Sequence, residues 1–436
     1  MLITLSPIAV AQEGKPTVTR TFPVDGAADV AAGETKLVVE FSHDMADSYS
    51  WTKGGELFPQ VIKAPEWETP RKCVLTVNLL PNHLYTFGVN GFTANRFQDT
   101  SGVPVERKLV SFRTEVPNGE TPVTFRGGPE NRAVFNALKK AFDDSYSYRN
   151  LRDVNWTRQF DVAKERFISS KTADELTYHV ADLLTLARDP HISLERSGVQ
   201  FATFARTYTP NFSSKALGHA VENLNKLNNT VYAGRYEDGV VYVLITSWAN
   251  DRAADLSALG KFLDGVKDAP GIILDVRPNG GGNDLFCQAL ARRFVAQEFV
   301  YEKVRTRDTS RPNGFSEARE RVLMPLPSGP SFGGKVAVLM GPANMSSCEA
   351  FLLMMKPIKQ ARLFGQPSYG SSGNPQPHDI GAGITVQLPS WQALLPDDQL
   401  LEGTGVTPDI LVETTVEDFE EQDLVINAAL KWLRED

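Results

Sequence analysis

The chain has 436 residues, 42% hydrophobic and 22% charged, enough for two or three domains with apolar cores. A formal net charge of −8 without a lysine/arginine run argues against a nucleic-acid partner. No apolar run approaches the ~18 residues that a spanning helix needs, so no stable membrane insertion is expected. Three widely separated cysteines, Cys73, Cys287 and Cys348, form no metal-binding spacing and read as free, buried thiols. Neither metal nor cofactor is expected.

Residues 1–16 read as a leader remnant: MLITLSPIAVAQ is apolar and ends in Ala9-Val10-Ala11, an A-x-A pattern, without a basic segment before it. This predicts an extracytoplasmic protein, periplasmic or secreted. Residues 17–115 alternate apolar and polar, as in Leu37-Val38-Val39-Glu40-Phe41 and Tyr85-Thr86-Phe87-Gly88-Val89, with turn residues at regular intervals. That pattern predicts a small all-β sandwich. FPVDGAADV, VVEFSHDM, LLPNHLYTFGVNGF and SFRTE make the segment resemble the bacterial Ig-like domains of secreted and surface proteins, which implies a binding or spacing role.

A connector, residues 116–129, leads into a helical subdomain over 130–190. Val134, Leu138, Phe142 and Tyr146 recur every fourth residue, Phe160 and Phe167 continue, and Thr172 with Glu175 forms a capping box before Leu176, Val180, Leu183 and Leu184. Pro190 ends the last helix and presents His191 in a loop. A histidine there is either a solvated turn residue or the base that a nucleophile needs near neutral pH. His378, after Pro377, is its competitor.

Residues 191–436 alternate strands and helices, which predicts a layered α/β core. Val240 to Ile245 is a strand, followed by a helix near Asp255 to Val266. Gly271 to Asp275 is a buried strand running into Gly280-Gly281-Gly282, then a helix from about Asp284. A phosphate loop is excluded because no Gly-Lys-Ser/Thr follows, and a dinucleotide fingerprint because the spacing is wrong. Glycines at such a junction let backbone amides approach a ligand closely.

The stretch GKVAVLMGPANMSSCEAFLLMMK, Gly334 to Lys356, is a strand, a turn and a helix beginning near Ser346. A serine at that junction is either an N-cap, with Glu349 completing a capping box, or a presented nucleophile beside unpaired helix amides.

Four ordered motifs resemble the C-terminal processing (tail-specific) proteases and their tricorn-like relatives: TLARDPHISLE, GIILDVRPNGGG, NMSSCEAF and EGTGVTPDILVE. The resemblance runs from about Asn131 to the end and implies a crotonase-like core. Too few residues separate His191 from Val240 for the PDZ domain of the tail-specific branch. By the same resemblance Ser346 is the nucleophile, and the amides of Ser347 and of Gly281 or Gly282 form the oxyanion hole. The tail-specific lysine is missing: Ser371 follows Gly370, and no lysine lies between Lys359 and Lys431. The tricorn-like pattern instead places a histidine base at His191 and an orienting glutamate at Glu402. Its serine before the histidine is replaced by Pro190, so a relay would be direct, through water, or through Ser371 or Ser193.

The expected function is therefore a serine endopeptidase acting on peptides or unfolded protein segments through Ser346, His191 and Glu402. Two rivals use the same residues differently: an inactive relative that binds a polypeptide or apolar ligand, and an esterase-type acyl hydrolase.

Overall fold

The computed structural model describes residues 14–53, 57–91, 94–221, 224–249, 253–420 and 422–435. The leader-like segment with Ala9-Val10-Ala11 lies outside the described residues. The chain forms two compact units. The first comprises the described residues up to Asp143, Arg149–Ala205 and Pro377–Gln387; the second comprises Asp144–Tyr148, Arg206–Gln376 and the described residues from Leu388.

The first unit begins with eight strands: β1 (Val18–Phe22), β2 (Gly33–Phe41), β3 (Trp51–Lys53), β4 (Gln60–Val61), β5 (Glu66–Thr69), β6 (Lys72–Leu79), β7 (Leu84–Val89) and β8 (Lys108–Arg113). They form two sheets, one ordered β1-β2-β6-β4 with β5 also on β6, the other β3-β7-β8. Leu37, Val39, Phe41, Leu75 and Val77 of the one share a core with Phe87, Val89, Val110 and Phe112 of the other. The alternation of β2 is thus the inward face of an all-β sandwich.

Three helices follow: α1 (Gly128–Ser145), α2 (Trp156–Ser169) and α3 (Ala173–Thr185). The i+4 apolar rows are buried, with Phe142 packed 4.4 Å from the Trp156 ring. The Thr172 side chain caps α3 by accepting the Glu175 amide, but Glu175 reaches the Lys171 amide rather than its own cap. The hairpin β9 (Ser193–Arg196) and β10 (Val199–Ala202) extends this unit, and β9 pairs with residues 384–387. This pairing across almost two hundred residues carries no local sequence signal.

In the second unit, α4 (Ser214–Ala220) precedes β11 (Asn225–Lys226), β12 (Val231–Arg235), β13 (Val241–Ile245), α5 (Ala253–Asp264), β14 (Gly271–Asp275), α6 (Asp284–Ala291), β15 (Phe299–Thr306), β16 (Arg319–Leu323), β17 (Lys335–Met340), α7 (Ser347–Met355) and β18 (Ala361–Gly365). Then come β19 (Pro375–Gly381) and β20 (Ile384–Pro389), whose middle part belongs to the first unit, and β21 (Trp391–Leu394), β22 (Ile410–Leu411) and α8 (Leu424–Arg434). Seven strands make one sheet, β11-β12-β13-β14-β17-β18-β22, parallel from β13 onward. Val243, Leu274 and Val338 point to one face, against Leu290, Phe351 and Leu352 of α6 and α7. Tyr242, Ile273 and Ala337 point to the other, against Leu217 of α4 and Ile426 and Ala429 of α8. Burial on both faces is why these strands read as unbroken apolar runs. The short α4 ends at Ala220, although apolar residues continue at helical spacing through Val221, Leu224 and Leu227.

Candidate active site

The sheet delivers β17 to a turn that no ordinary residue would follow. A side chain at Gly341 would lie 1.9 Å from Asn211 Oδ1, so the strand must end in glycine. Asn344, fully buried, accepts the Gly341 amide at 2.8 Å and donates to the Val276 and Asn279 carbonyls at 2.6 and 3.0 Å. One carboxamide thereby staples this turn to the glycine loop after β14. Ser346 then adopts φ +58° and ψ −135°, a region that L-residues avoid at a cost on the order of 1–3 kcal/mol. Its side chain makes no capping bond to α7 and is partly exposed. The N-cap half of the capping-box reading of Ser346 and Glu349 therefore fails: the Ser346 side chain takes no amide of α7.

The glycine loop packs against this serine. A methyl group at Gly281 would stand 2.9 Å from Ser346 Cβ and 3.4 Å from the Ser347 nitrogen, and one at Gly282 would strike the Trp248 carbonyl at 2.2 Å. Their φ values, +109° and +144°, also demand glycine. The Gly281 amide donates to Asn279 Oδ1 at 2.9 Å, so it is spent. Among the described residues the amides of Gly282 and Ser347 meet no acceptor, which leaves these two for an oxyanion. The loop is anchored below by Arg277, fully buried, whose guanidinium bonds both Asp275 and Asp423. That cluster is structural: Asp423 also caps α8.

Two buried carboxylates order the segment after β18. Glu349 accepts the Ser368 hydroxyl and the amides of Gly370 and Ser371, the last two at 2.7 and 2.9 Å. Burial pushes its acid up to about 7, against the pull of these hydrogen bonds. Ser371 in turn accepts the Ser346 amide through its carbonyl at 2.7 Å. Glu402 is only 4% exposed, which rules out a surface carboxylate, and its Oε2 accepts the Ser372 amide at 2.9 Å. Ser372 Oγ lies 3.0 Å from the Tyr148 hydroxyl. Ser368–Ser372 thus bridges the Ser346 turn and the 402–406 loop, closed by the Gly403 amide on the Gly370 carbonyl and by the Val406 amide on the Ser368 hydroxyl.

The second unit brings together Ser346, Ser347, Gly281, Gly282, Ser371 and Glu402. His191 and Ser193 belong to the first unit. There the Asp189 carboxylate accepts the His191 amide at 2.9 Å, and its Oδ1 stands 3.8 Å from the His191 ring nitrogen. The His191 side chain is 7% exposed, not the open loop histidine that the sequence suggests. Asp189 is therefore what makes the D-x-H spacing: it shapes the turn that holds the ring. Ser193 starts β9, and His378 sits on β19, with its basicity lowered by burial.

A cavity of about 310 Å³ opens beside Ser346, with Asp284, Glu302, Arg321 and Trp391 in its wall. Sequence reasoning missed Glu302, Arg321 and Trp391 because β15, β16 and β21 come from separate stretches that pair only in three dimensions, and Asp284, which opens α6, gains its role from them. Asn279 and Asn344 were also missed, although a buried turn asparagine after an apolar strand is a readable signal.

Residues 239–412 match the model of Peptidase family S41. The carboxy-terminal processing protease CtpB of Bacillus subtilis (strain 168) is 21% identical over 204 residues, 46% of this chain and 40% of the relative, so the chain spans less than half of that protein's length. Among solved structures, a candidate peptidase from Parabacteroides merdae ATCC 43184 superposes with a TM-score of 0.61 at 23% identity, over 71% of this chain and 98% of that one. Mature CPAF gives a TM-score of 0.51 at 11% identity, over 70% and 96%. These two likenesses speak to the fold. Residues 239–412 are therefore similar to Peptidase family S41, and part of the chain is similar to the carboxy-terminal processing protease CtpB.

Proposed function

We propose that this protein is a serine endopeptidase that cleaves peptides or unfolded protein segments. The observation that carries the reading is the strained, uncapped Ser346 set against Gly281. Ser346 Oγ attacks the amide carbonyl carbon, and the amides of Ser347 and Gly282 hold the resulting oxyanion. His191 is assigned the general base that takes the Ser346 proton and returns it to the leaving amine, on the strength of its D-x-H motif. Glu402, from the GV-x-PDI motif and buried, is assigned the carboxylate that orients and stabilises the imidazolium, with Ser371 or Ser193 as a relay. The leader-like N-terminus and the sandwich, read as Ig-like, support an extracytoplasmic location.

An activated fluorophosphonate is expected to label the protein, and Ser346→Ala to abolish the label. Equal labelling of the variant would move the nucleophile elsewhere. Casein cleavage falling by about 10²-fold or more in His191→Ala supports the base assignment. Unchanged cleavage would remove it, and cleavage of esters alone would favour the acyl-hydrolase rival.

A further inference from the structure

The cavity beside Ser346 is more than a gap. Arg321 crosses its wall, donating one terminal nitrogen to Asp284 Oδ2 and the other to Glu302 Oε2, the latter at 2.6 Å. The guanidinium lies over the Tyr301 and Trp391 rings at 5.2 and 5.5 Å. Its charge is therefore already engaged by two carboxylates and covered by two aromatic faces. Burial pushes the Glu302 acid up to about 7, so the wall carries its full net negative charge of one above that pH.

Two polar atoms in this wall have no partner among the described residues. Asp284 Oδ1 is buried and accepts nothing, although its sister oxygen is paired. Ser347 Oγ is likewise buried and unbonded, on a residue only 7% exposed. A buried acceptor left without a donor costs about 1–3 kcal/mol, so a site built this way is incomplete until something donates to it. Trp391 supplies an apolar surface next to these acceptors. At about 310 Å³ the cavity sits at the small end of ligand pockets, roughly 300–1,000 Å³, which suits one side chain rather than an extended ligand.

Resting on the reading of Ser346 as nucleophile, we propose that this cavity is a specificity subsite that receives a lysine or arginine side chain from a substrate residue flanking the scissile bond. The aliphatic stem lies along Trp391, and the cationic head donates to Asp284 Oδ1 and Ser347 Oγ. An acidic side chain would meet an unpaired carboxylate oxygen with Arg321 already neutralised. A neutral amide could donate but would leave the excess negative charge uncompensated. The cation satisfies both demands.

The test uses peptides identical except for lysine, norleucine or glutamate at one position on either side of the cleaved bond. Norleucine keeps the four-carbon stem of lysine and lacks its ammonium group. Binding is measured to Ser346→Ala protein and cleavage with wild type. Lysine peptides are expected to bind about tenfold or more tightly than norleucine ones, and glutamate peptides weakest. Asp284→Asn, in the same background, should bring the lysine-to-norleucine ratio towards one, a ratio independent of the folded fraction. Equal binding of the three peptides overturns the subsite whatever is cleaved. Selective lysine binding by a protein that neither cleaves peptides nor takes the fluorophosphonate would uphold the subsite and reject the peptidase reading. Should Asp284→Asn not fold, the wild-type and Ser346→Ala ratios still decide.

Discussion

Replacing Glu349 with glutamine tests whether burial or hydrogen bonding governs the carboxyl that holds the Ser346 clamp. This residue is fully buried, and burial raises its acid from an ordinary 4.5 to about 7 despite three donors. The direction is opposite to that of a salt-bridged acid. The folded state holds a proton that the unfolded chain has released between those two values. Stability from this group is therefore full below about pH 4.5 and is lost as pH rises through about 7. The rise from 4.5 to about 7, at ~1.4 kcal/mol per pH unit, amounts to roughly 3 kcal/mol. Glutamine cannot ionise, so Glu349→Gln lacks this slope, and every other titrating group cancels in the comparison. Urea unfolding of both proteins, in a Ser346→Ala background to prevent self-cleavage, reads the difference directly. The wild-type advantage should shrink by about 3 kcal/mol between pH 4.5 and 7. A difference that is flat, or that grows with pH, would refute the reasoning and mean that the donors keep Glu349 ionised throughout.

Gly281→Ala forces a methyl group to within 2.9 Å of Ser346 Cβ at a φ of +109°, so fluorophosphonate labelling should slow by at least about tenfold. A wild-type labelling rate would show that the loop yields without disturbing Ser346. Arg277→Met strips the partner from two buried carboxylates, Asp275 and Asp423, and should cost about 3–5 kcal/mol in urea unfolding at neutral pH. A loss under about 1 kcal/mol would mean that the cluster is not held as an ion triad.

Much of the fold is legible along the chain because its periodicities are local. The i+4 rows of α1 to α3 and the alternation of β2 each report one buried face, and that face needs no knowledge of its partner. The apolar runs of β13, β14 and β17 report two buried faces. The boundary of α4 is less legible, since its apolar spacing continues past the residue where the backbone turns into an edge strand.

The candidate site divides along the same line. Residue order alone places a serine where a strand meets a helix, a glycine run where another strand ends, and a glutamate three residues after that serine. It leaves undecided whether Ser346 caps α7 and whether Glu402 faces water. Both depend on long-range contacts: the Ser371 carbonyl takes the Ser346 amide, and the Ser372 amide reaches Glu402. The Gly281 amide is different: it is taken by Asn279, only two residues earlier, through a local turn contact. The physical reason is that hydrophobic period is a property of one segment, whereas whether a serine caps its helix and whether an acid is buried are set by whichever distant segments arrive beside them.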